Sequence, residues 1–267
     1  MKKVILTFSL MAALGVTRAQ QQQGRVIYER TLQMQMQLAS ADGAAPAAPM
    51  LPRTHTDKFE VLFANNQSLR RTKEEDVTET LAQADDGREV HFMIADVNDV
   101  RYCNFTTATV IDQRELGAKN YIVTDSIYPL NWKLTGNTST ILNYPCQEAV
   151  AQRIGKRPAT RMENGELKTE EVADTANVVV WFTPAIPVSA GPEYQGQLPG
   201  LILSIDINNG RTKYKAVEVS EQVDVSLIKP PAKGKKVTAA AFNKERDQIM
   251  GSWQRASDTR GMIHIRQ

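Results

Sequence analysis

The sequence predicts a mainly β protein: an antiparallel, curved meander sheet, open like a half-barrel, followed by one C-terminal helix. Three observations carry this. From Val26 to Leu38 apolar and polar residues alternate with only Arg30 out of step, the period of a strand with one buried face. A second alternation, Leu201, Leu203, Ile205 and Ile207 against Ile202, Ser204, Asp206 and Asn208, runs into Asn209-Gly210, the strongest short hairpin signal. The connections between the β-prone runs are short and rich in turn residues, whereas parallel pairing needs a crossover of a dozen residues or more.

Residues 1–19 are set aside first. Lys2 and Lys3, an apolar stretch from Val4 to Val16 and the small-residue end Thr17-Arg18-Ala19 read as a secretory signal peptide cleaved near Ala19. The apolar stretch is too short for a membrane span, and no cysteine at the cleavage point offers a lipid anchor. The expectation is a periplasmic or secreted protein with no transmembrane segment in the mature chain. It divides into an antiparallel β domain over 20–230 and a basic tail over 231–267 containing a helix at 238–250.

Within the β domain, the first strand precedes an Ala/Pro-rich loop at 39–52, then Phe59, Val61 and Phe63 lead into an Asn65-Asn66 turn. Residues 70–88 read as a solvated turn or short helix. Alternation restarts at Val90, Phe92 and Ile94, and further strands are expected at 100–111, 121–123, around Trp132, at 149–153 and at 178–182. Leu198-Pro199-Gly200-Leu201 reads as a type II turn with glycine at the position needing positive φ. If Asn209 and Gly210 form a two-residue turn, counting outward sets Ile207 opposite Thr212, Asp206 opposite Lys213, Ile205 opposite Tyr214 and Leu203 opposite Ala216. After Lys229-Pro230-Pro231, Thr238 reads as the N-cap of a helix whose apolar stripe is Phe242, Ile249 and Met250, with Gly251 ending it; 261–265 reads as a short terminal strand.

Removing residues 1–19 takes Lys+Arg from 32 to 29 against 30 Asp+Glu, turning a formal +2 into −1. Residues 229–267 carry nine Lys/Arg and three Asp/Glu, so a +6 tail follows a body of −7. With few aromatics in the tail, this reads as a solvated surface segment rather than a nucleic-acid site. The two cysteines, Cys103 and Cys146, are expected to form a disulfide clamping the middle of an exported domain, since no Cys-x-x-Cys spacing suggests redox chemistry. A loop of that length is worth roughly 4 kcal/mol in the chain-entropy model.

Gln197-Leu198-Pro199-Gly200-Leu201-Ile202 resembles the signature of the GLPGLI family of exported Bacteroidetes proteins, with Gln197 where the family name has its first glycine. Trp132-Lys133-Leu134, Ile141, Tyr144, Cys146, Ala149, Trp181-Phe182-Thr183, Ile186-Pro187, Gly191-Pro192, Pro230 and Val237-Thr238 are similar to the spaced pattern of that family. The resemblance implies an exported, β-rich protein of unknown biochemical function. It supplies no catalytic residue to carry over.

Catalysis needs a nucleophile beside an oriented base. The histidines His55, His91 and His264 follow no elbow or zinc motif, and Asp85-Asp86 sits in a solvated charged run, so no catalytic residue, metal or cofactor is assigned and the chain is read as a non-enzyme. Met34, Met36, Met50 and His55 are the copper alternative, but Met34 and Met36 share the face of Leu32 and Leu38, which a buried stripe explains. Two non-enzyme readings stay open. The preferred one is a protein-interaction or scaffold module, whose Pro-rich loop 183–199 and Asn209-Gly210 tip face an outer-membrane or envelope partner. The alternative is a carrier holding a lipid or other apolar ligand in the curved sheet. In both, Leu198, Pro199, Gly200, Leu201 and Ile202 shape the loop-to-strand junction, and Trp181 with Phe182 anchors the preceding strand.

Overall fold

The computed structural model describes residues 22–35, 52–72, 82–83, 89–90, 99–117, 119–163 and 166–258. The predicted signal peptide, the 39–51 loop, Phe92, Ile94 and the 261–265 strand lie outside them.

Alternating sequence becomes extended chain throughout. The strands are β1 (Gly24–Gln35), β2 (Pro52–Ala64), β3 (Gln67–Thr72), β4 (Ala82–Gln83), β5 (Glu89–Val90), β6 (Val100–Asn104), β7 (Thr109–Leu116) and β8 (Lys119–Ser126). They continue with β9 (Lys133–Ile141), β10 (Tyr144–Glu163), β11 (Glu166–Thr183), β12 (Leu201–Ile207), β13 (Thr212–Ser220) and β14 (Lys235–Thr238), and the chain then enters helix α1 (Ala239–Asp258). Twelve strands form one open sheet in the order β14-β8-β7-β6-β3-β2-β1-β13-β12-β11-β10-β9, and β4 with β5 forms a separate ribbon. The sheet is two meanders, β1-β2-β3-β6-β7-β8 and β9 to β13, joined where β1 pairs β13.

The Asn209-Gly210 hairpin forms in the predicted register: Ile207 faces Thr212, Asp206 faces Lys213 and Ile205 faces Tyr214. Asn209 and Gly210 take φ of 53° and 92°, the double positive that this turn demands. Asn65 and Asn66, at 52° and 57°, close β2 onto β3 in the same way.

Several expectations are corrected. The 100–111 run is two strands, β6 and β7, folded back through a turn at 105–108 and paired from Val100↔Gln113 to Asn104↔Thr109. One neighbour pair is parallel, β14 with β8, because the chain crosses over through 221–234 before joining the sheet. Thr238 caps α1, its Oγ1 accepting from the Ala241 N–H at 3.2 Å, but the helix runs through Gly251. A helical glycine costs only about 1 kcal/mol relative to alanine, and Gly251 does not take the left-handed conformation with which a glycine commonly ends a helix.

Cys103 and Cys146 are both buried free thiols, not a disulfide. They lie on β6 and β10, in different halves of the sheet, with β3, β2, β1, β13, β12 and β11 between their strands. Closing a loop in sequence says nothing about which strands become neighbours, and these do not.

Register assigns each strand's two faces. On one face Val26 pairs Val61 and Tyr28 pairs Phe59, and these join Val178, Val180, Phe182, Leu203, Ile205 and Tyr214 in the main core. On the other, Leu62, Leu69 and Tyr102 are covered by the segment around Ile228. A third cluster packs Phe242 of α1 against Tyr121 of β8, ring centroids 5.5 Å apart.

Candidate functional site: a loop latched over an arginine–carboxylate centre

The segment 183–199, expected to present itself to a partner, instead lies in the main core. Ile186, Val188, Ala190 and Leu198 are buried there with the strands. Its backbone is tied to β12: Ile186 O accepts from the Leu201 N–H at 3.0 Å and Ala190 O from the Ile202 N–H at 2.9 Å. The alternation of proline with apolar residues explains the path. Pro187 and Pro199 each centre a three-residue turn, closed by Val188 N–H to Ile186 O at 2.8 Å and by Gly200 N–H to Leu198 O at 2.9 Å.

The signature turn is therefore not type II, and Gly200 does not adopt positive φ. Its glycine is required by close approach. A Cβ there would strike the Thr183 carbonyl oxygen and lie 2.8 Å from its carbon and 3.1 Å from the Phe182 ring. Phe182 is buried on the core face of β11 and Trp181, partly buried, packs against the same core.

Three alternate residues of the loop reach β3, β6 and the connection between β8 and β9. Glu193 binds Arg70 of β3 through Oε1 and Arg101 of β6 through Oε2, the latter at 2.8 Å. Gln195 accepts from Ser68 of β3. Gln197 Oε1 accepts from the Leu130 N–H at 3.0 Å and from Trp132 Nε1 at 2.9 Å, while the Trp132 ring meets Tyr194 edge-on at 5.5 Å. The glutamine that departs from the GLPGLI spelling thus has a defined structural task.

Beyond Glu193 the polar centre continues. Arg101 forks onto both oxygens of Asp112 at 2.8 and 3.1 Å, and Arg114 donates to Asp112 Oδ2 at 2.8 Å. The pairing Val61↔Arg70↔Arg101↔Asp112 puts these groups on the core face. The centre therefore lies between the latched loop and α1, whose Phe242 ring sits 5.4 Å from the Arg114 guanidinium. Arg70, Asp99, Arg101, Asp112, Arg114 and Glu193 line a cavity of about 100 Å³. Arg30 and Asp57 extend the row with a two-bond pair at 2.9 and 3.0 Å.

Burial pushes the Glu193 carboxyl up, but the charges of Arg101 and Arg70 outweigh it and hold the group below the ordinary glutamate value. Asp112 behaves alike, with burial overcome by the Arg101 hydrogen bond and charge and by Arg114. Cys103, two residues from Arg101 on the same strand, is pushed up to about 12 by burial. These are carboxylates kept ionised and a thiol kept protonated, a setting for charge pairing.

Sequence reasoning missed this centre. Its signal was present as charged residues at strand period within apolar runs, Arg101 two before Cys103 and Asp112 two before Arg114, and as the Glu193-x-Gln195-x-Gln197 spacing. Among the histidines, the side chain of His55 is described, half-buried on β2, whereas His91, His264, Asp85 and Asp86 lie outside the described residues. So do the side chain of Met34 and all of Met36 and Met50, leaving only His55 of the copper candidates described.

A further feature escaped the sequence reading. β10 and β11 pair from Gln147↔Phe182 to Glu163↔Glu166, but β9 accompanies β10 only to Val150 and β12 accompanies β11 only to Val178. The stretch 152–177 therefore extends about 40 Å beyond the sheet as a two-stranded ribbon. Ile154 on it is 78% exposed. Asn164-Gly165, between the last paired residues, is the same hairpin signal that located the 209–210 turn.

Residues 132–204 match the family described as "Protein of unknown function (Porph_ging)". No curated protein matches the chain. Among solved structures, "Structure of PNGF-II in C2 space group" is similar over 82% of this chain and 32% of that one, at 16% identity and a TM-score of 0.46. "Structure of PNGF-II in P21 space group" covers 82% and 33%, at 16% identity and 0.45. The chain spans about a third of the length of those structures. Among the described residues, no helix is long and apolar enough to cross a membrane.

Proposed function

We propose that this chain is an exported, non-catalytic envelope protein that serves as a protein-interaction or scaffold module, with the ribbon 152–177 as its contact arm. The observation that carries the reading is the ribbon itself. An isolated two-stranded hairpin is marginal in water, so a projection of this length gains little for the fold and much for reach. In sequence its outgoing strand carries Arg153, Lys156, Arg157 and Arg161 with one Glu163, and its returning strand Glu166, Glu170, Glu171 and Asp174 with one Lys168, a mainly basic strand beside a mainly acidic one.

The polar centre supports the non-catalytic half. A general acid needs a carboxyl whose pKa is raised toward neutrality, whereas Glu193 and Asp112 are held low by the arginines they clamp. The apolar-carrier alternative loses ground because Ile186, Val188, Ala190 and Leu198 occupy the core face that a ligand would need. Export rests on the 1–19 signal-peptide pattern and on the resemblance to an exported family.

The test compares the full chain with a variant in which Arg153 is joined to Ala176 through Asn-Gly, both purified from the native envelope and weighed by native mass spectrometry. The expected result is a stoichiometric protein partner on the full chain, lost from the trimmed variant at an unchanged melting temperature. A partner retained by the trimmed variant, or a bound lipid and no protein on the full chain, would overturn the assignment.

A further inference from the structure

Among the described residues, the sheet has two end strands, and the ribbon adds two edges along which no further strand pairs. Three of these four edges are guarded against pairing. β14 is four residues long, carries Lys235 and Lys236, and continues directly into α1. The ribbon's outgoing edge has Lys156, Arg157 and Pro158, and its returning edge has Glu170 and Glu171. β9 is different. After Lys133 it reads Leu134-Thr135-Gly136-Asn137-Thr138-Ser139-Thr140-Ile141, with no charge and no proline, and every residue before Ile141 is exposed.

Register shows which of its backbone groups are free. β9 pairs β10 as Ile141↔Tyr144, Thr140↔Pro145, Ser139↔Cys146 and Thr138↔Gln147. Proline has no N–H, so Thr140↔Pro145 is a pair that exchanges no hydrogen bonds, and by alternation Ser139↔Cys146 does and Thr138↔Gln147 does not. The N–H and C=O groups of Thr138 and Thr140 therefore point away from the sheet, and among the described residues no strand meets them. The strand does carry a bulge, but it lies before Thr138 and leaves Thr138 to Ile141 in regular register. Between Thr138↔Gln147 and Leu134↔Ala149 the chain bulges opposite Glu148, whose Oε2 accepts from Thr135 Oγ1 and Asn137 Nδ2, both at 2.7 Å.

We propose that β9 is a self-pairing edge through which two copies of this chain join antiparallel about a two-fold axis at Ser139. The proposal rests on the interaction reading and places a second contact away from the ribbon. The register is self-complementary. Thr138 faces Thr140 of the partner subunit, Thr140 faces Thr138 of the partner subunit, and these pairs exchange four backbone hydrogen bonds. Threonine opposite threonine is a favourable cross-strand pair, and no like charges oppose one another in this register.

Sedimentation equilibrium of the full chain at rising concentration tests it, with an expected shift of mass toward twice that of the single chain. The double variant Thr138→Lys/Thr140→Lys sets lysine against lysine, and Thr138→Glu/Thr140→Glu sets glutamate against glutamate. Each should weaken self-association roughly tenfold or more without moving the melting temperature at concentrations where the wild type is a single chain, because both sites are exposed. An equimolar mixture should restore the dimer at concentrations where neither variant alone forms it, and the ribbon-trimmed chain should dimerise as the full chain does. A wild-type mass that stays at one chain up to about 1 mM, or variants that dimerise unaltered, would overturn self-pairing. Neither result bears on the ribbon, whose own test is partner loss on trimming.

Discussion

Glu193→Gln is the sharpest test of the latch. The substitution keeps the shape of the side chain and removes its charge, leaving Arg70 and Arg101 to share Asp112 with Arg114. Glu193 is 26% exposed, and Arg70 and Arg101 are 13% and 23% exposed, so the pair is largely but not wholly withdrawn from water. Hydrogen bonds to charged groups contribute about 1.5–3 kcal/mol each, and removing one member of a buried ion pair costs about 3–5 kcal/mol. With a quarter of the carboxylate still wet, about 3 kcal/mol is expected, or a fall in melting temperature of about 6–12 °C for a domain of this size.

The pH dependence follows from the direction of the shift. The folded-state pKa of Glu193 lies below its unfolded value, so its contribution is fully present above the unfolded value and is lost as pH falls through the folded one. Urea melts of the two chains should therefore differ most near about pH 7 and converge only as the pH falls below the ordinary glutamate value of about 4.3. A difference under about 1 kcal/mol at neutral pH, or one that stays constant on acidification, would refute the claim that a charged Glu193 holds the loop to β3 and β6.

Gly200→Ala should destabilise by about 2 kcal/mol, because the new methyl meets the Thr183 backbone and not a yielding side chain; an unchanged urea midpoint would contradict that packing. Gln197→Ala should cost about 1–2 kcal/mol and shift Trp132 emission, since the indole N–H and the Leu130 N–H both lose their acceptor. Alkylation under denaturing, non-reducing conditions should label both Cys103 and Cys146, whereas the folded protein should react slowly at Cys103, which is buried and pushed up to about 12. No adduct at either cysteine in the denatured, unreduced chain would restore the disulfide.

What could be read from the sequence was local. Asn65-Asn66 and Asn209-Gly210 announce their own turns, and the pleat then assigns faces to β1, β2, β12 and β13 without any knowledge of neighbours. The turn after β9 uses Leu142-Asn143, at φ of 50° and 67°, and lacks the glycine that would have marked it. The disulfide failed for a different reason, since loop length in sequence does not determine that β6 and β10 fall in different halves of the sheet. The polar centre failed for a third. Proline and glycine in 183–199 suggested an exposed loop, but the apolar residues between them outweighed that composition. Once the loop is inside, its polar residues require partners, which Arg70, Arg101, Ser68 and Trp132 provide.

The limits of the family match bear on the same point. The run 132–204 opens at Trp132, whose indole is held by Gln197, and closes at Ser204 in β12, the strand to which the latched loop is bonded. It thus contains both ends of that contact, the whole ribbon and the β9 edge, while Arg70 and Arg101, which grip Glu193, lie before it. The matched run is three strands and the start of a fourth, carrying a loop that must be clamped by β3 and β6 of the other meander. A fragment confined to 132–204 would leave Glu193, Gln195 and the core-facing side of β12 without their partners on β1, β3 and β6, so it should be unfolded or aggregated where the full chain is cooperative. A fragment that melts cooperatively by circular dichroism would show that the two meanders fold independently and that the latch joins finished halves.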